Sequence, residues 1–128
     1  MSVLIDTHVL LWFLAGDSRL SVEARTAVES VETPRFFSVA SLWEIAIKLS
    51  LGRLELPTPH GPFLQEMLAN LGIQLLPIAP EHVEIVASLP FHHRDPFDRL
   101  LVAQCTREGL AIATQDPQFA KYGLTVVG

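Results

Sequence analysis

The sequence predicts an α/β protein with three layers, in which helices cover both faces of a central, mainly parallel sheet of about five strands. Short apolar runs alternate along the chain with longer segments of helical periodicity. Continuous apolar strands are typical of parallel sheets buried on both faces, and helices are their usual connections. At 128 residues, we expect a single domain, 1–128, with its own core.

The first strand and two helices come from the N-terminal quarter of the chain. Ser2–Ile5 is predicted as a buried strand, and Thr7–Leu14 as a helix that is apolar almost all round. Ser21 is a suitable N-cap for a second helix, Val22–Val31. Its apolar face would consist of Ala24, Ala27, Val28 and Val31.

Proline and glycine divide the middle of the chain. After Thr33-Pro34, Phe36–Val39 is predicted as the second strand, followed by a helix from about Leu42 to Leu51 that stops at Gly52. A loop is then expected at Pro57, Pro59, Gly61 and Pro62. Phe63–Leu71 is predicted as a helix ending at Gly72, and Ile73–Ile78 as the third strand.

The remaining elements follow the same alternation. Pro80 suits a helix start, and Glu81–Leu89 continues that helix before a loop at Pro90–Arg94. Asp95-Pro96 begins the next helix, which is expected to end at Gly109. The C-terminal elements are a fourth strand, a helical turn and a last strand: Ala111–Thr114, Pro117–Lys121 and Leu124–Val127.

The composition is rich in apolar residues for so short a chain. Apolar residues make up 49% of the sequence and the mean hydropathy is +0.35, so we expect apolar surface that a partner or a second copy would cover. The helices Thr7–Leu14 and Leu42–Leu51 are the candidates. The one cysteine, Cys105, excludes an internal disulfide and a cysteine zinc cluster, and we expect it to be buried on a helix.

Charge and hydropathy bear on the binding of nucleic acid and on the location of the protein. The net charge of −5 argues mildly against broad non-specific binding of nucleic acid. The apolar run Val9–Ala15 has no Lys or Arg before it, and it is far shorter than the about 20 residues needed to span a bilayer. We therefore expect a cytoplasmic protein with no membrane association.

Four acidic residues lie at corresponding points of the predicted sheet. Asp6 follows the first strand, Glu44 follows the second through a serine, and Asp116 follows the fourth. Asp98 opens the helical run Arg99–Glu108. Ligands of open α/β sheets bind beyond the carboxyl ends of the strands, and four carboxylates there would repel one another without a cation. This pattern predicts a Mg²⁺ or Mn²⁺ site and hydrolysis of a phosphodiester.

Each acid also has an ordinary structural interpretation. Asp6 suits a helix N-cap, and Ser41-Leu42-Trp43-Glu44 has the pattern of a capping box. Asp95 is expected to cap the helix that begins at Pro96, with Asp98 in its first turn, and Asp116 suits a turn or a helix start. These interpretations explain the acids singly, and they do not explain why all of them fall on one edge of the sheet.

Neighbouring polar residues could assist such a site. Thr7 and Thr114 could order the carboxylates or metal-bound water, or simply bond nearby backbone. The loop residues His92, His93 and Arg94 precede Asp95 and Asp98. They could touch a phosphate, or they could simply be solvated.

Four segments carry a pattern that spans the chain. They are Leu4–His8 (LIDTH), Ser41–Ile45 (SLWEI), His93–Ala103 (HRDPFDRLLVA) and Ala113–Asp116 (ATQD). Together they resemble the PIN-domain family, and in particular the VapC-like toxins of type II toxin–antitoxin systems. The resemblance implies a Mg²⁺- or Mn²⁺-dependent endoribonuclease whose acids fall on Asp6, Glu44, Asp98 and Asp116. It also implies a homodimer that is neutralised by a cognate VapB-like antitoxin.

Other functions fit the residues less well. A phosphatase with Asp6 as nucleophile would need a second aspartate two residues later, where His8 stands. A receiver domain would need an acid after the third strand, which runs into Pro77-Ile78-Ala79-Pro80. A catalytically degenerate PIN-like fold that only binds RNA or protein stays open, because sequence does not reveal turnover.

Overall fold

A five-stranded parallel sheet lies at the centre of the protein, as predicted. The computed structural model describes residues 1–56 and 62–128, so most of the loop expected around Pro57, Pro59 and Gly61 lies outside the described residues. The strands are β1 (Val3–Ile5), β2 (Arg35–Ser38), β3 (Gln74–Leu76), β4 (Ala111–Ala113) and β5 (Val126–Val127). Their order is β3-β2-β1-β4-β5, and every pair of neighbours is parallel.

Helices cover both faces of this sheet. They are α1 (Thr7–Ala15), α2 (Val22–Glu29), α3 (Val39–Ser50), α4 (Pro62–Leu71), α5 (Pro80–Val86) and α6 (Pro96–Glu108), followed by a 3₁₀ helix, Pro117–Tyr122. Val3 and Ile5 of β1 pack with α1 to α4, whereas Leu4 packs with α6 and the 3₁₀ helix. The alternation of side chains along β1 therefore divides the core in two, and the predicted three-layer fold is confirmed.

The sheet reverses its direction of growth beside β1. From β1 the chain builds outward through β2 and β3, then returns to add β4 and β5 on the other side. Ile5 pairs with Ala113, so the carboxyl ends of β1 and β4 lie side by side. A crevice opens at such a reversal because the two connections leave toward opposite sides.

Helix α3 begins three residues before the predicted Leu42. Ser38 is its N-cap and accepts a hydrogen bond from the backbone N–H of Ala40, at 3.0 Å. Ser41 and Glu44 therefore lie inside the helix, and the capping box predicted for them is wrong. The β-branched Val39 favoured a longer strand, but the hydroxyl of Ser38 stabilises an earlier helix start.

Arg35 accounts for another difference at the start of β2. It belongs to the strand and is buried, although the strand was predicted to begin at Phe36. Its guanidinium donates to the carbonyl of Val28 and, at 2.6 Å, to that of Leu71, and so it binds carbonyls near the ends of α2 and α4. Helix α2 stops at Glu29, which leaves Val31 exposed rather than on the apolar face.

Edge elements are shorter than predicted. Strands β3 and β5 extend only over the residues that pair with β2 and β4, because an edge strand has a partner on one side alone. Helix α5 ends at Val86, three residues before the predicted end at Leu89.

Cys105 is buried on α6, as expected. Among the helices of the described residues, none is long and apolar enough to cross a membrane.

A buried polar chain connects the two helical layers. Ser38 Oγ donates to Gln104 Oε1 at 2.6 Å, and Gln104 Nε2 donates to the carbonyl of Pro77 at 3.2 Å. His82 Nδ1 accepts from the Ala79 N–H, so its Nε2 carries the proton that bonds Glu108, at 2.8 Å. Gln104 thereby connects α6 to the residue that starts α3.

We predict that Gln104→Leu lowers the free energy of unfolding by about 1–3 kcal/mol, because it leaves the Ser38 hydroxyl and the Pro77 carbonyl without a buried partner. Gln74→Leu, at an exposed position of β3, is the matched control and is expected to change little. Urea denaturation of both variants measures the difference. Equal stability of the two variants would contradict the structural role given to Gln104.

Candidate functional site

An acidic cleft of about 370 Å³ opens where the sheet reverses, beyond the carboxyl ends of β1 and β4. It contains all four acids that the sequence singled out. The lining residues are Asp6, His8, Val9, Trp12, Glu44, Lys48, Asp95, Asp98, Gln115 and Asp116. The strand-end pattern of the sequence therefore corresponds to proximity in space.

Asp6 occupies the floor of the cleft. It follows β1 and stands at the N-cap position of α1, but its side chain makes no capping hydrogen bond, so that interpretation is wrong. The Thr114 hydroxyl instead donates to Asp6 Oδ2 at 2.8 Å, while the Asp6 N–H bonds the Ala113 carbonyl. Burial raises the pKa of Asp6, and the Thr114 hydrogen bond opposes that rise.

Glu44 reaches the cleft from the second turn of α3. Its carboxylate lies 3.0 Å from the Lys48 ammonium, one turn further along the same helix. The Thr7 hydroxyl donates to Ser41 Oγ at 2.7 Å, which joins the start of α1 to the first turn of α3. The Thr7 hydroxyl thus contacts a neighbouring helix rather than a carboxylate, and Ser41 serves this contact instead of a cap.

Asp95 and Asp98 have different surroundings, although they lie one helical turn apart. Asp95 caps α6, as expected, by accepting from the backbone N–H groups of Phe97 and Asp98. Asp98 lies in the first turn and is half-buried. Burial raises its pKa to about 7, and the charges of Asp95, Asp6, Glu44 and Asp116 add to the rise.

Asp116 is held on both of its oxygens. Oδ1 accepts from the Gln118 N–H and caps the 3₁₀ helix, as the ordinary interpretation expected. Oδ2 lies 2.9 Å from His93 Nε2. The Asp116 N–H also donates to the Thr114 hydroxyl at 3.1 Å, so Thr114 joins the backbone of Asp116 to the side chain of Asp6.

His93 is buried, in contrast to the solvated loop residue that the sequence allowed. The Tyr122 hydroxyl accepts from the His93 N–H and lies 3.0 Å from Nδ1, and the two rings are stacked. A neutral imidazole satisfies every partner if Tyr122 donates to Nδ1 and Nε2–H donates to Asp116. His92 and Arg94 are exposed and do not line the cleft.

The donor atoms in the cleft suit a divalent cation. One ligand atom each of His93, Asp98 and Asp116 lies within 4.8 Å of the others, and Asp6 and Glu44 line the same cleft. Carboxylate oxygens are the donors that Mg²⁺ and Mn²⁺ prefer. The raised pKa of Asp98 shows that burial and the neighbouring carboxylates disfavour its ionised form, which a bound cation would stabilise.

Five residues that line the cleft were not assigned to it from the sequence, namely His8, Val9, Trp12, Lys48 and Gln115. Lys48 could have been found, since Glu and Lys four residues apart on a helix commonly pair. Trp12 was assigned only to an apolar helix, yet it lines the cleft. Gln115 lines it too and bonds the loop after α1, and no local signal distinguished its side chain from that of a turn residue.

Comparison with known proteins agrees with this architecture. The chain matches the PIN domain family model over residues 3–124. It is 29% identical over 116 residues to Ribonuclease VapC22 of Mycobacterium tuberculosis, covering 90% of this chain and 87% of that one.

Solved structures share the fold at low sequence identity. A crystal structure of VapBC2 from Rickettsia felis, bound to a DNA fragment from its promoter, aligns with a TM-score of 0.72 and 11% identity, covering 98% of this chain and 97% of that one. FitAcB from Neisseria gonorrhoeae aligns with a TM-score of 0.64 and 19% identity, covering 98% and 96%.

We predict that Asp98→Asn stabilises the metal-free protein, and that the gain increases with pH. The folded-state pKa of about 7 exceeds the ordinary 3.8, so the folded protein binds the proton more tightly between these values and loses stability as the pH rises through them. The variant removes this cost. Its free energy of unfolding should therefore exceed that of the unsubstituted protein by about 1–2 kcal/mol near pH 8, after allowance for solvent screening.

Urea denaturation in EDTA at about pH 5 and about pH 8 measures this difference. Glu66→Gln, which removes an exposed carboxylate on α4, controls for the change in net charge. A gain that is equal at both pH values, or shared by the control, would contradict the electrostatic explanation.

Proposed function

The chain belongs to the PIN domain family, and from this premise we propose that it is a metal-dependent endoribonuclease, a VapC-like toxin of a type II toxin–antitoxin system. The observation that carries the proposal is the convergence of Asp6, Glu44, Asp98 and Asp116 on one cleft. Its similarity along most of its length to Ribonuclease VapC22 supports RNA as the substrate.

Asp6, Glu44, Asp98 and Asp116 are the residues proposed to hold Mg²⁺ or Mn²⁺, directly or through water. When bound, such an ion supplies an activated water for attack on the phosphodiester and stabilises charge on the phosphoryl and leaving oxygens. The oxygen-rich donor set and the electrostatic strain at Asp98 support this assignment.

The surrounding residues of this chain position the carboxylates. Thr114 holds one oxygen of Asp6, Oδ2, through a hydrogen bond of 2.8 Å. His93 and the Gln118 N–H orient Asp116 from two sides. Lys48, on the wall of the cleft, pairs with Glu44 and balances its charge.

A protein partner is proposed as well, namely a VapB-like antitoxin. An apolar cavity of about 640 Å³ lies between α3 and α4, and Trp43 at its edge is 59% exposed. Leu42, Leu49 and Leu64 also line it, so an apolar segment of an antitoxin would find a complementary surface. The fold neighbours VapBC2 and FitAcB support the same proposal.

Self-association into a homodimer is proposed on the same family relationship. The exposed Ile78, Val83 and Phe91, in α5 and the loops beside it, provide apolar surface outside the cleft and the α3–α4 cavity. Burial of such side chains is a common source of dimer stability.

We predict that the purified protein cleaves RNA at discrete positions with Mg²⁺ or Mn²⁺ and that EDTA abolishes the cleavage. Asp98→Asn is expected to lower the rate by on the order of 100-fold or more, since it removes a charged ligand. Asp95→Asn, one turn away, keeps a good N-cap and should retain most activity.

Cleavage that survives both EDTA and Asp98→Asn would contradict the assigned site. Absence of cleavage by folded, metal-loaded protein on total RNA would favour the alternative, a catalytically degenerate fold that binds RNA or protein.

We also predict that His93→Phe weakens Mn²⁺ binding by about 10- to 100-fold, because Asp116 loses the donor that orients it. Phenylalanine keeps the ring packing against Phe119 and Tyr122. Calorimetric titration with Mn²⁺ measures the affinity without any need for turnover. An unchanged affinity in a folded variant would show that His93 does not position Asp116.

A further inference from the structure

We propose that Trp12, on the wall of the acidic cleft, is a stacking site for an unpaired RNA base next to the cleaved phosphate, an inference that rests on the proposed ribonuclease function. Trp12 is half-buried on α1 and lines the same cleft as the four carboxylates.

The acidic cleft requires a source of RNA affinity other than charge. The protein has a net charge of −5, and four carboxylates repel a phosphate until a cation binds. The cations beside the cleft are already paired: Lys48 with Glu44 at 3.0 Å, and Arg19 with Asp17 at 2.7 Å. Stacking of bases on aromatic side chains provides affinity that needs no excess positive charge.

The wall formed by α1 has the composition expected for such contacts. His8 and Trp12 lie one turn apart on the helix, with ring centroids 6.1 Å apart and planes inclined at 55°. Both line the cleft, and His8 is exposed. Asp6 precedes the same helix, so the backbones of Asp6 and Trp12 are about 9 Å apart along the helix axis, a separation comparable to the spacing of neighbouring nucleotides.

Trp12 is also held in place by its surroundings. The Arg19 guanidinium lies 5.0 Å from the ring centroid, and Asp17 binds that guanidinium through both Nε and Nη2. Gln115, next to Asp116 in sequence, accepts from the Ser21 N–H at 2.8 Å and donates to the Arg19 carbonyl at 2.9 Å. These two hydrogen bonds connect the loop beside Trp12 to Gln115, at the edge of the proposed metal site.

The fixed position of the Trp12 ring affects which form of RNA can bind. A preorganised aromatic ring binds a base with little loss of conformational entropy, and its distance from the carboxylates stays fixed. A base inside a duplex has both faces covered, whereas a base in a loop or single strand is free to stack on the ring. The arrangement therefore favours single-stranded RNA over a duplex of the same sequence.

The test uses Trp12 as its own probe. The chain has two tryptophans, and Trp43→Phe leaves Trp12 alone, in a background of Asp98→Asn that prevents turnover. Three RNA probes are titrated with Mg²⁺ present: a short single strand of mixed sequence, its duplex, and the same strand with abasic positions. We expect the single strand to quench Trp12 fluorescence and to bind about 5- to 100-fold more tightly than the other two.

A second pair of variants separates stacking from packing. Trp12→Leu keeps an apolar side chain on α1 without a ring, and Trp12→Phe keeps a ring. With otherwise unchanged protein, we expect Trp12→Leu to raise KM for RNA about 5- to 100-fold with a smaller change in kcat, and Trp12→Phe to restore most of the loss. Thermal unfolding verifies that both variants are folded.

Equal RNA affinity and KM for Trp12→Leu and the unsubstituted protein would overturn the stacking site and leave the ribonuclease proposal intact. Equal binding of single strand, duplex and abasic strand would also overturn it. Failure of the unsubstituted, metal-loaded protein to bind or cleave any RNA would instead overturn the proposed function, and the stacking site with it.

Discussion

Mutual repulsion among carboxylates is the constraint on which the arrangement of this protein depends. Asp6, Glu44, Asp98 and Asp116 meet at the reversal point of the sheet, and burial together with the neighbouring charges raises the pKa of Asp98 to about 7. Such a cluster persists because the protein places donors around it. Thr114 donates to Asp6, Lys48 pairs with Glu44, and His93 bonds Asp116. The remaining repulsion is what a divalent cation would relieve.

The fold supplies these donors from elements that are distant in sequence. Strands β1 and β4 lie side by side only because the chain returns to the centre of the sheet after β3, and this return brings Thr114 to Asp6. Helices α3 and α6 bring Glu44 and Asp98, and the buried hydrogen bond between Ser38 and Gln104 sets the start of one helix against the other. Buried polar contacts of this kind fix relative position, since a shift would leave them unpaired.

One side of the cleft is suited to chemistry and the other to recognition. The carboxylates provide oxygen donors for a cation and no attraction for RNA. Helix α1 contributes Trp12, which contacts the Arg19 guanidinium, and Gln115 bonds the Arg19 carbonyl. The apolar cavity between α3 and α4 is a separate surface, lined by residues such as Leu42 and Leu49. The proposed catalytic cleft and the proposed partner surface therefore lie on different faces of α3, the helix that carries Glu44.

The sequence alone determined the fold class, the order of the elements and the acids at the strand ends, because hydrophobic periodicity and strand-end position are local properties. It also identified Asp95 as a helix cap, since Asp before Pro is a local signal. The tertiary structure decided where α3 begins, that His93 is buried against Asp116, and that Trp12 lines the same cleft as the carboxylates. These features depend on contacts between residues far apart in the chain. Ser38 competes with Ser41 as a cap, and the two are distinguished by the contact of Ser38 with Gln104, 66 residues away, and by the contact of Ser41 with Thr7.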